Sequence, residues 1–167
     1  MTSQGLRTAS LMAATLSMGL AAGVFALYGH TIMPGLRRTD DPTFVGAFRA
    51  IDTAIINPWF IGGSFLGALI FTAAAAIANR GARDFPWILG ALIAYVVVVA
   101  ITVAVHVPLN DAIKAARIDG PTADLAAVRA QFHEARWAAW NLVRAVTSTG
   151  AFAALAWALV LHGRATA

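Results

Sequence analysis

Three histidines carry much of the chemistry that this sequence could perform. His30, His106 and His133 lie near the ends of apolar stretches, and histidine is both a base near neutral pH and a frequent metal ligand. If the three rings met, they could hold a metal ion, and His30 with His106 could hold a haem. No His-x-x-x-His or Glu-x-x-His pair accompanies them, and dispersed histidines alone do not make a metal motif. The sequence therefore favours a single histidine that acts as a base, and it predicts no bound metal, haem or other cofactor.

A second group of polar and aromatic side chains shares one face of the last predicted helix. Its members follow the i, i+3, i+4, i+7 spacing of a helical face, and they are His133, Trp137, Trp140, Asn141, Arg144 and Ser148. The indole rings could stack on a flat aromatic compound while the guanidinium and the amide bind its oxygen atoms. The same pattern is typical of an interfacial aromatic belt with an arginine that reaches towards water. At the level of sequence both interpretations stay open.

Further polar residues gather near the longer loops. Asn57 and Pro58 open one apolar stretch, and Pro108 and Asn110 close another. Polar groups at the edge of a membrane are costly unless they pair or line a cavity, so the sequence predicts a pocket at the membrane face that carries the longer loops. Asn57 could equally serve as the cap of a helix whose first turn contains Pro58.

These residues depend on apolar segments for their position. The chain has 167 residues, of which 59% are hydrophobic and 12% charged, whereas soluble domains have about 25% charged residues. The charged residues leave four long uncharged stretches, at 8–36, 53–79, 85–110 and 145–163. Because about 20 helical residues cross the hydrocarbon core, the sequence predicts an all-α, four-helix transmembrane bundle. The predicted spans are about 10–34, 57–79, 86–108 and 141–162, in a single membrane domain of residues 1–167.

Composition also excludes several classes of function. The chain has no cysteine, which excludes disulfides, thiolate metal sites, iron–sulfur clusters and cysteine nucleophiles. The net charge of +4 does not indicate nucleic-acid binding, because the arginines are scattered between apolar spans. The first stretch is longer than the roughly 7–15 apolar residues of a signal peptide, so we expect it to be retained as a span. The partner that this composition implies is the lipid bilayer.

The first long connection has the pattern of a helix. Asp41 could cap it with Pro42 at the first helical position. Apolar residues then recur at helical spacing, at Phe44, Phe48, Ile51 and Ile55. We expect a short amphipathic helix that lies on the interface or folds over the bundle, with Arg49 and Asp52 paired on its surface.

The last connection and the two chain ends complete the predicted architecture. A helix is expected to begin at Gly120-Pro121 and to run directly into the fourth span, which gives an extended last helix. Four spans place both termini on one side, and that side carries Arg7, Arg80, Arg83 and Arg164 with few acids. Because basic residues in short loops favour the cytoplasm, we expect cytoplasmic termini in a bacterial inner membrane.

Four short segments stand at the ends of these spans. They are Met33-Pro34-Gly35-Leu36, Asn57-Pro58-x-Phe60, Val107-Pro108-Leu109-Asn110 and Trp137-x-x-Trp140-Asn141-x-Val143-Arg144. In that order and spacing they resemble the anthrone oxygenase family, and the resemblance covers nearly the whole chain. It implies a four-helix membrane bundle and, from fungal relatives, the oxygenation of an anthrone to an anthraquinone. His106 departs from the pattern, because asparagine is expected there in many relatives.

The implied reaction needs a base, a group that stabilises an oxyanion, and a dry pocket, since a deprotonated anthrone can react with O₂ without a metal. Chemistry makes His106 or His133 the candidate base, and Asn110, Asn141 and Arg144 the groups that stabilise the oxyanion. We therefore predict His106, His133 and Arg144 as catalytic residues, and Asn57, Asn110, Trp137, Trp140 and Asn141 as substrate-binding residues. The predicted substrate is a small lipophilic aromatic compound. The alternative is a non-catalytic membrane protein, either a small-molecule carrier or an accessory subunit that uses its glycine-lined helix faces.

Overall fold

The regular structure is entirely helical within residues 3–117 and 124–166, which are the residues that the computed structural model describes. The predicted all-α class is confirmed. Four segments are long and apolar enough to cross a membrane, namely Gln4–Leu36, Trp59–Ala78, Phe85–Ala115 and Leu125–Ala165. The chain is thus a multi-pass membrane protein, and most of these segments extend beyond the predicted spans.

Six helices follow one another within residues 3–117 and 124–166, and three of them contain a wider, π-helical turn. Helix α1 comprises Ser3–Leu27, the π-helical turn Tyr28–Ile32 and a last turn Met33–Leu36. Helix α2 comprises Asp41–Ile55, and α3 begins with the π-helical segment Trp59–Phe65 and continues as Leu66–Ala78. Helix α4 comprises Phe85–Ile101, the π-helical turn Thr102–His106 and Val107–Ala115. Helices α5 and α6 comprise Leu125–Gln131 and Glu134–Thr166.

The spanning helices α1, α3, α4 and α6 form a bundle with a small-residue core. Helix α1 packs against α3 and α6, while α4 packs against α6 and less extensively against α3. A Cβ atom built on Gly19 of α1 would lie 3.0 Å from the ring of Phe152 of α6, so this close approach depends on glycine. Packing of this kind stabilises helix pairs in lipid, where burial of apolar surface gives little driving force.

Hydrogen bonds hold three helices together at the end of the bundle where the chain starts and ends, here called the terminal end. His162 of α6 lies with its Nδ1 3.0 Å from Asp84 Oδ2, just before α4, and with its Nε2 3.0 Å from Thr8 Oγ1 of α1. Arg7 Nε donates to the Ala78 carbonyl at 2.8 Å. The opposite end, which carries the longer connections, is called the loop end.

Helix α2 folds over the loop end of the bundle. Its buried residues include Phe44, Phe48 and Asp52, so the predicted amphipathic helix is confirmed. The predicted cap is wrong by one residue: Asp40 is the N-cap, and its Oδ1 accepts the Thr43 N–H at 2.9 Å. Hydrogen bonds from the side chain and the backbone of Thr43 hold the pKa of Asp40 below its usual value.

The predicted surface pair between Arg49 and Asp52 is also wrong. Arg49 Nη1 donates to the Ala116 carbonyl at 2.8 Å, whereas Asp52 turns towards the bundle and contacts α4. Three residues along a helix are compatible with a pair, but the fold of α2 over the bundle gives each side chain a different partner.

The last spanning segment is long, as predicted, but it is not one continuous helix. His133 has φ 52°, a left-handed conformation that ends α5 before α6 begins at Glu134. Arg129 Nε donates to Glu134 Oε1 across this break at 2.7 Å. Phe132, next to the break, is fully buried, so the change of direction places its ring in the core. The predicted helix start at Gly120-Pro121 lies outside the described residues.

Candidate functional site

A cavity of about 160 Å³ lies among the loop-end halves of the helices, beneath α2. Most of its walls are apolar, from residues such as Val24, Phe25, Ile55 and Phe65. The side chains with polar groups among its lining are Tyr28, Asp52, Thr102, His106, Asn110, Trp137 and Arg144. Ligand sites in proteins typically combine an apolar wall with a few polar groups in this way, and we call this cavity the pocket.

All three π-helical turns contribute residues to the pocket lining. In each of them a backbone N–H donates to the carbonyl five residues earlier: Met33 to Tyr28, Leu66 to Ile61 and Val107 to Thr102. The pocket residues that these turns supply are Tyr28, Phe60, Ile61, Phe65, Thr102 and His106. Turns of this kind occur frequently at functional sites.

Proline explains two of the three turns. Pro34 and Pro108 each follow the residue that closes a π-helical turn. A proline within a helix lacks the N–H donor, and its ring collides with the carbonyl four residues earlier. A wider turn before the proline relieves this collision. In α3 the wide segment instead contains Gly62, whose carbonyl would lie 2.6 Å from a Cβ on Gly67, so Gly67 tolerates no side chain there.

Arg144 is a buried cation at the inner end of the pocket. Its side chain is only 6% exposed, and it donates to Asn141 Oδ1 at 2.8 Å and to Thr102 Oγ1 at 3.2 Å. Its guanidinium carbon lies 4.5 Å from the Phe25 ring centroid and 5.7 Å from that of Trp137. No ion pair in the described part of the chain includes it. A buried charge without a counter-charge is costly, and contacts with aromatic rings offset only part of that cost.

His106 lies beside Arg144 in the pocket lining. Its residue is 1% exposed, and its ring centroid lies 5.0 Å from that of Trp137 in an edge-to-face arrangement. Neither ring nitrogen has a hydrogen-bond partner among the described residues. Buried polar groups are nearly always hydrogen-bonded, so the described residues leave these two enclosed nitrogens unsatisfied.

A chain of hydrogen bonds fixes the side of the pocket beneath α2. Trp137 Nε1 donates to Asn110 Oδ1 at 2.8 Å, and Asn110 Nδ2 donates to Asp52 Oδ1 at 2.7 Å. Lys114 Nζ lies 2.9 Å from Asp52 Oδ2. Because these contacts join α2, α4 and α6, Asn110 and Asp52 hold α2 in place over the pocket.

The structure brings together part of the predicted site. His106, Asn110, Trp137 and Arg144 all line the pocket. Asn141 is fully buried behind the lining, where its Nδ2 donates to the Phe25 carbonyl at 3.0 Å. Because its Oδ1 accepts from Arg144, Asn141 positions the guanidinium.

Three predicted residues lie outside the pocket lining. Trp140 is partly exposed, since it lies about 60° around the helix from Trp137 at 100° per residue. His133 is exposed at the break before α6. Asn57 Oδ1 accepts the Phe60 N–H at 2.9 Å, which is the capping role that its sequence position also allowed.

The three histidines of the metal hypothesis do not meet. His30 is exposed and hydrogen-bonded to Thr31, His106 is in the pocket, and His133 is at the helix break. Across residues 3–117 and 124–166, no group of three His, Cys, Asp or Glu side chains is arranged to hold a metal ion.

Sequence reasoning missed Tyr28, Asp52 and Thr102 as pocket residues. Tyr28 and Thr102 each begin a π-helical turn, and each lies six residues before a proline. This spacing from a proline is the sequence pattern from which the two residues could have been predicted. Asp52 gave a different signal, since an acid next to the apolar stripe of an amphipathic helix is well placed to face the residues that the helix covers.

The fold and the pocket together define a small helical membrane protein with a mostly apolar cavity near the loop end of its bundle. Residues 57–154 match the family described as anthrone oxygenase, and the chain belongs to that family. The matched residues include His106, Asn110, Trp137, Asn141 and Arg144, whereas Phe25, Tyr28 and Asp52 come from the preceding part of the chain. No curated protein and no solved structure shows significant similarity to it.

Proposed function

We propose that the pocket binds a flat, lipophilic ring compound as its oxyanion and oxygenates it with O₂, as in the conversion of an anthrone to an anthraquinone. The observation that carries this proposal is Arg144, a buried cation that lines an apolar pocket and has no carboxylate partner among the described residues. An anionic ligand would supply the missing counter-charge. The apolar walls suit the rings of such a ligand, and the edge of Trp137 suits a planar one.

His106 is the candidate base. Its nitrogens have no hydrogen-bond partner within the described fold. With the ligand bound, one of them would take a proton from the CH₂ that lies opposite the carbonyl carbon in the central ring. The negative charge then spreads to the carbonyl oxygen, where the Arg144 guanidinium can stabilise it. A phenol-like enolate of this kind is electron-rich enough to reduce O₂.

The proposed reaction balances with O₂ as the only co-reactant. The ring anion transfers an electron to O₂, and the two radicals combine to form a carbon–oxygen bond. Protonation gives a hydroperoxide at that carbon. Loss of the second C–H proton and cleavage of the O–O bond then give the new carbonyl and water. The ring system loses four electrons and O₂ gains four, with one oxygen atom in the product and one in water.

We further propose a bacterial inner membrane with the terminal end in the cytoplasm. Arg7, Arg80, Arg83 and Arg164 belong to the terminal end, and basic residues near short loops favour the cytoplasmic side. The acid of that end, Asp84, is buried beside His162.

The test separates binding from chemistry. His106→Leu preserves volume approximately and orphans no protein partner, so we expect anthrone bound under argon to stay in its neutral form and O₂ uptake to fall about 10²- to 10⁴-fold, as loss of a general base predicts. His30→Leu, an exposed histidine at the same end, should change neither. Wild-type protein that binds anthrone without any catalysed O₂ uptake would refute the oxygenase and identify a carrier.

A further inference from the structure

Helix α2 bounds the pocket on the side towards the loop end, where it supplies Asp52 and Ile55 to the lining. Helix α2 covers it, and the rings of Phe44 and Phe48 pack against Phe132, with the last two centroids 4.5 Å apart. Asp52 is tied to Asn110 and Lys114 on the same side. A ligand that arrived from water would have to displace this helix and its aromatic contacts.

The pocket is open on its flank, between α3 and α4. The π-helical half of α3 packs against α1 but makes no comparable contact with the second half of α4. The pocket-lining side chains beside this gap are apolar. They are Ile56 of the connection between α2 and α3, Phe60 and Ile61 of α3, and Val107 of α4. Ile56 is 62% exposed and Val107 43% exposed. We call this gap the lateral mouth.

The lateral mouth lies at the edge of the hydrocarbon core. The polar terminal end of the bundle is marked by Arg7, Asn79 and Asp84. About 20 residues of helix cross about 30 Å of hydrocarbon, and this distance from the terminal end reaches Trp59 in α3 and Val105 in α4. Trp59 is the most exposed large apolar residue of the described chain, and tryptophan is typical of the membrane interface.

We propose that the ligand enters the pocket from the bilayer through the lateral mouth. The substrate class is thereby narrowed to ring compounds that partition into lipid, with the oxyanion at Arg144 and any apolar substituent between Ile56 and Val107. This assignment of substrate class rests on the proposed function, whereas the path itself is a property of the helices.

The path can be tested without any substrate, because the chain has no cysteine. Thr102→Cys places one thiol in the pocket lining, next to Arg144, and the protein is reconstituted in lipid nanodiscs. Two maleimides are compared, one with a dodecyl chain and one with a sulfonate. Val107→Trp is added to narrow the mouth, and Ile93→Trp, an exposed position of the same helix that is outside the pocket lining, is the matched control.

We expect the dodecyl reagent to label Cys at position 102 at least tenfold faster than the sulfonated one. Val107→Trp should slow this labelling at least tenfold, and Ile93→Trp should leave it unchanged. Ile56→Trp, on the opposite side of the mouth, repeats the test if Val107→Trp does not fold. Faster labelling by the sulfonated reagent, or equal slowing by the mouth and control variants, would overturn the path. Failure of anthrone binding would instead refute the proposed function and leave this result standing.

Discussion

Replacement of Arg144 by methionine should remove ligand binding without unfolding the bundle. Methionine keeps much of the length and apolar contact of the side chain but removes its charge and its donors. In the structure the guanidinium donates to Asn141 and Thr102, lies over Phe25 and has no counter-charge in the described chain. Its contribution to folding and its proposed contribution to binding can therefore be considered separately.

The expected loss of affinity is set by the hydrogen bonds that a guanidinium makes to an oxyanion. One or two charge-assisted bonds contribute about 2–4 kcal/mol in total, which corresponds to a dissociation constant about 30- to 700-fold higher. For folding, Arg144→Met leaves Asn141 Oδ1 unpaired, at a cost of about 1–3 kcal/mol. It also removes an unpaired buried charge, which gains a comparable amount. We therefore expect a change in stability of at most about 2 kcal/mol.

The assay is equilibrium binding of anthrone under argon, followed by the absorbance of the deprotonated ring, with thermal unfolding measured in the same detergent. Arg136→Met is the matched control, since Arg136 is exposed on the same helix two turns earlier. Arg144→Lys keeps the charge without the planar fork and should recover part of the affinity. Anthrone binding by Arg144→Met as tight as by wild type would refute the reasoning, and so would equal losses in Arg136→Met.

Two further predictions concern the cover and the cap. Asp52→Ala should detach α2 partly, because it leaves the amide of Asn110 unpaired; we expect a loss of about 1–3 kcal/mol and faster backbone hydrogen exchange in α2. The control is Asp111→Ala: exposed Asp111 Oδ1 lies 3.1 Å from Lys114 Nζ, and loss of this ion pair should cost at most about 1 kcal/mol. Equal exchange rates in these two variants would contradict the role of Asp52. Asn57→Ala should lower stability by about 1 kcal/mol through loss of the cap over Phe60 and leave anthrone affinity unchanged, so that a large drop in affinity would return Asn57 to the binding site.

Much of the architecture could be predicted because it depends on local pattern. Uncharged stretches identify spanning segments directly, and the spacing of Phe44, Phe48, Ile51 and Ile55 identifies α2. The grouping of His106, Asn110, Trp137 and Arg144 could also be expected, since each lies near the same end of a span. The substrate, catalysis and membrane orientation remain predictions.

The parts that could not be predicted depend on tertiary structure or on small changes of backbone. Asp40 and Asp41 are both able to cap a helix, and sequence does not decide between adjacent acids. Asp52 finds its partner in α4 only after α2 folds over the bundle. The spacing places His133 on the face of Trp137, but its left-handed backbone puts it before α6. Histidine is enriched in this conformation, yet such residues are too uncommon for the sequence to single out this one.

The π-helical turns divide helices α1 and α4 into two parts, one before and one after the turn. A π-helical turn is equivalent to one residue inserted into an α-helix, and each inserted residue rotates the remainder of the helix by about 100°. In α1 and α4 the residues beyond Ile32 and His106 are therefore out of phase with those before Tyr28 and Thr102, and a single helical wheel cannot describe either helix. The part of α1 before Tyr28 keeps the phase that close packing of Gly19 on Phe152 requires. Helix α6 has no such turn and keeps one phase from Trp137 and Arg144 in the pocket to Phe152 beside Gly19. The pocket therefore combines one helix of constant phase with two helices whose inward-facing residues are reset just before the loop end.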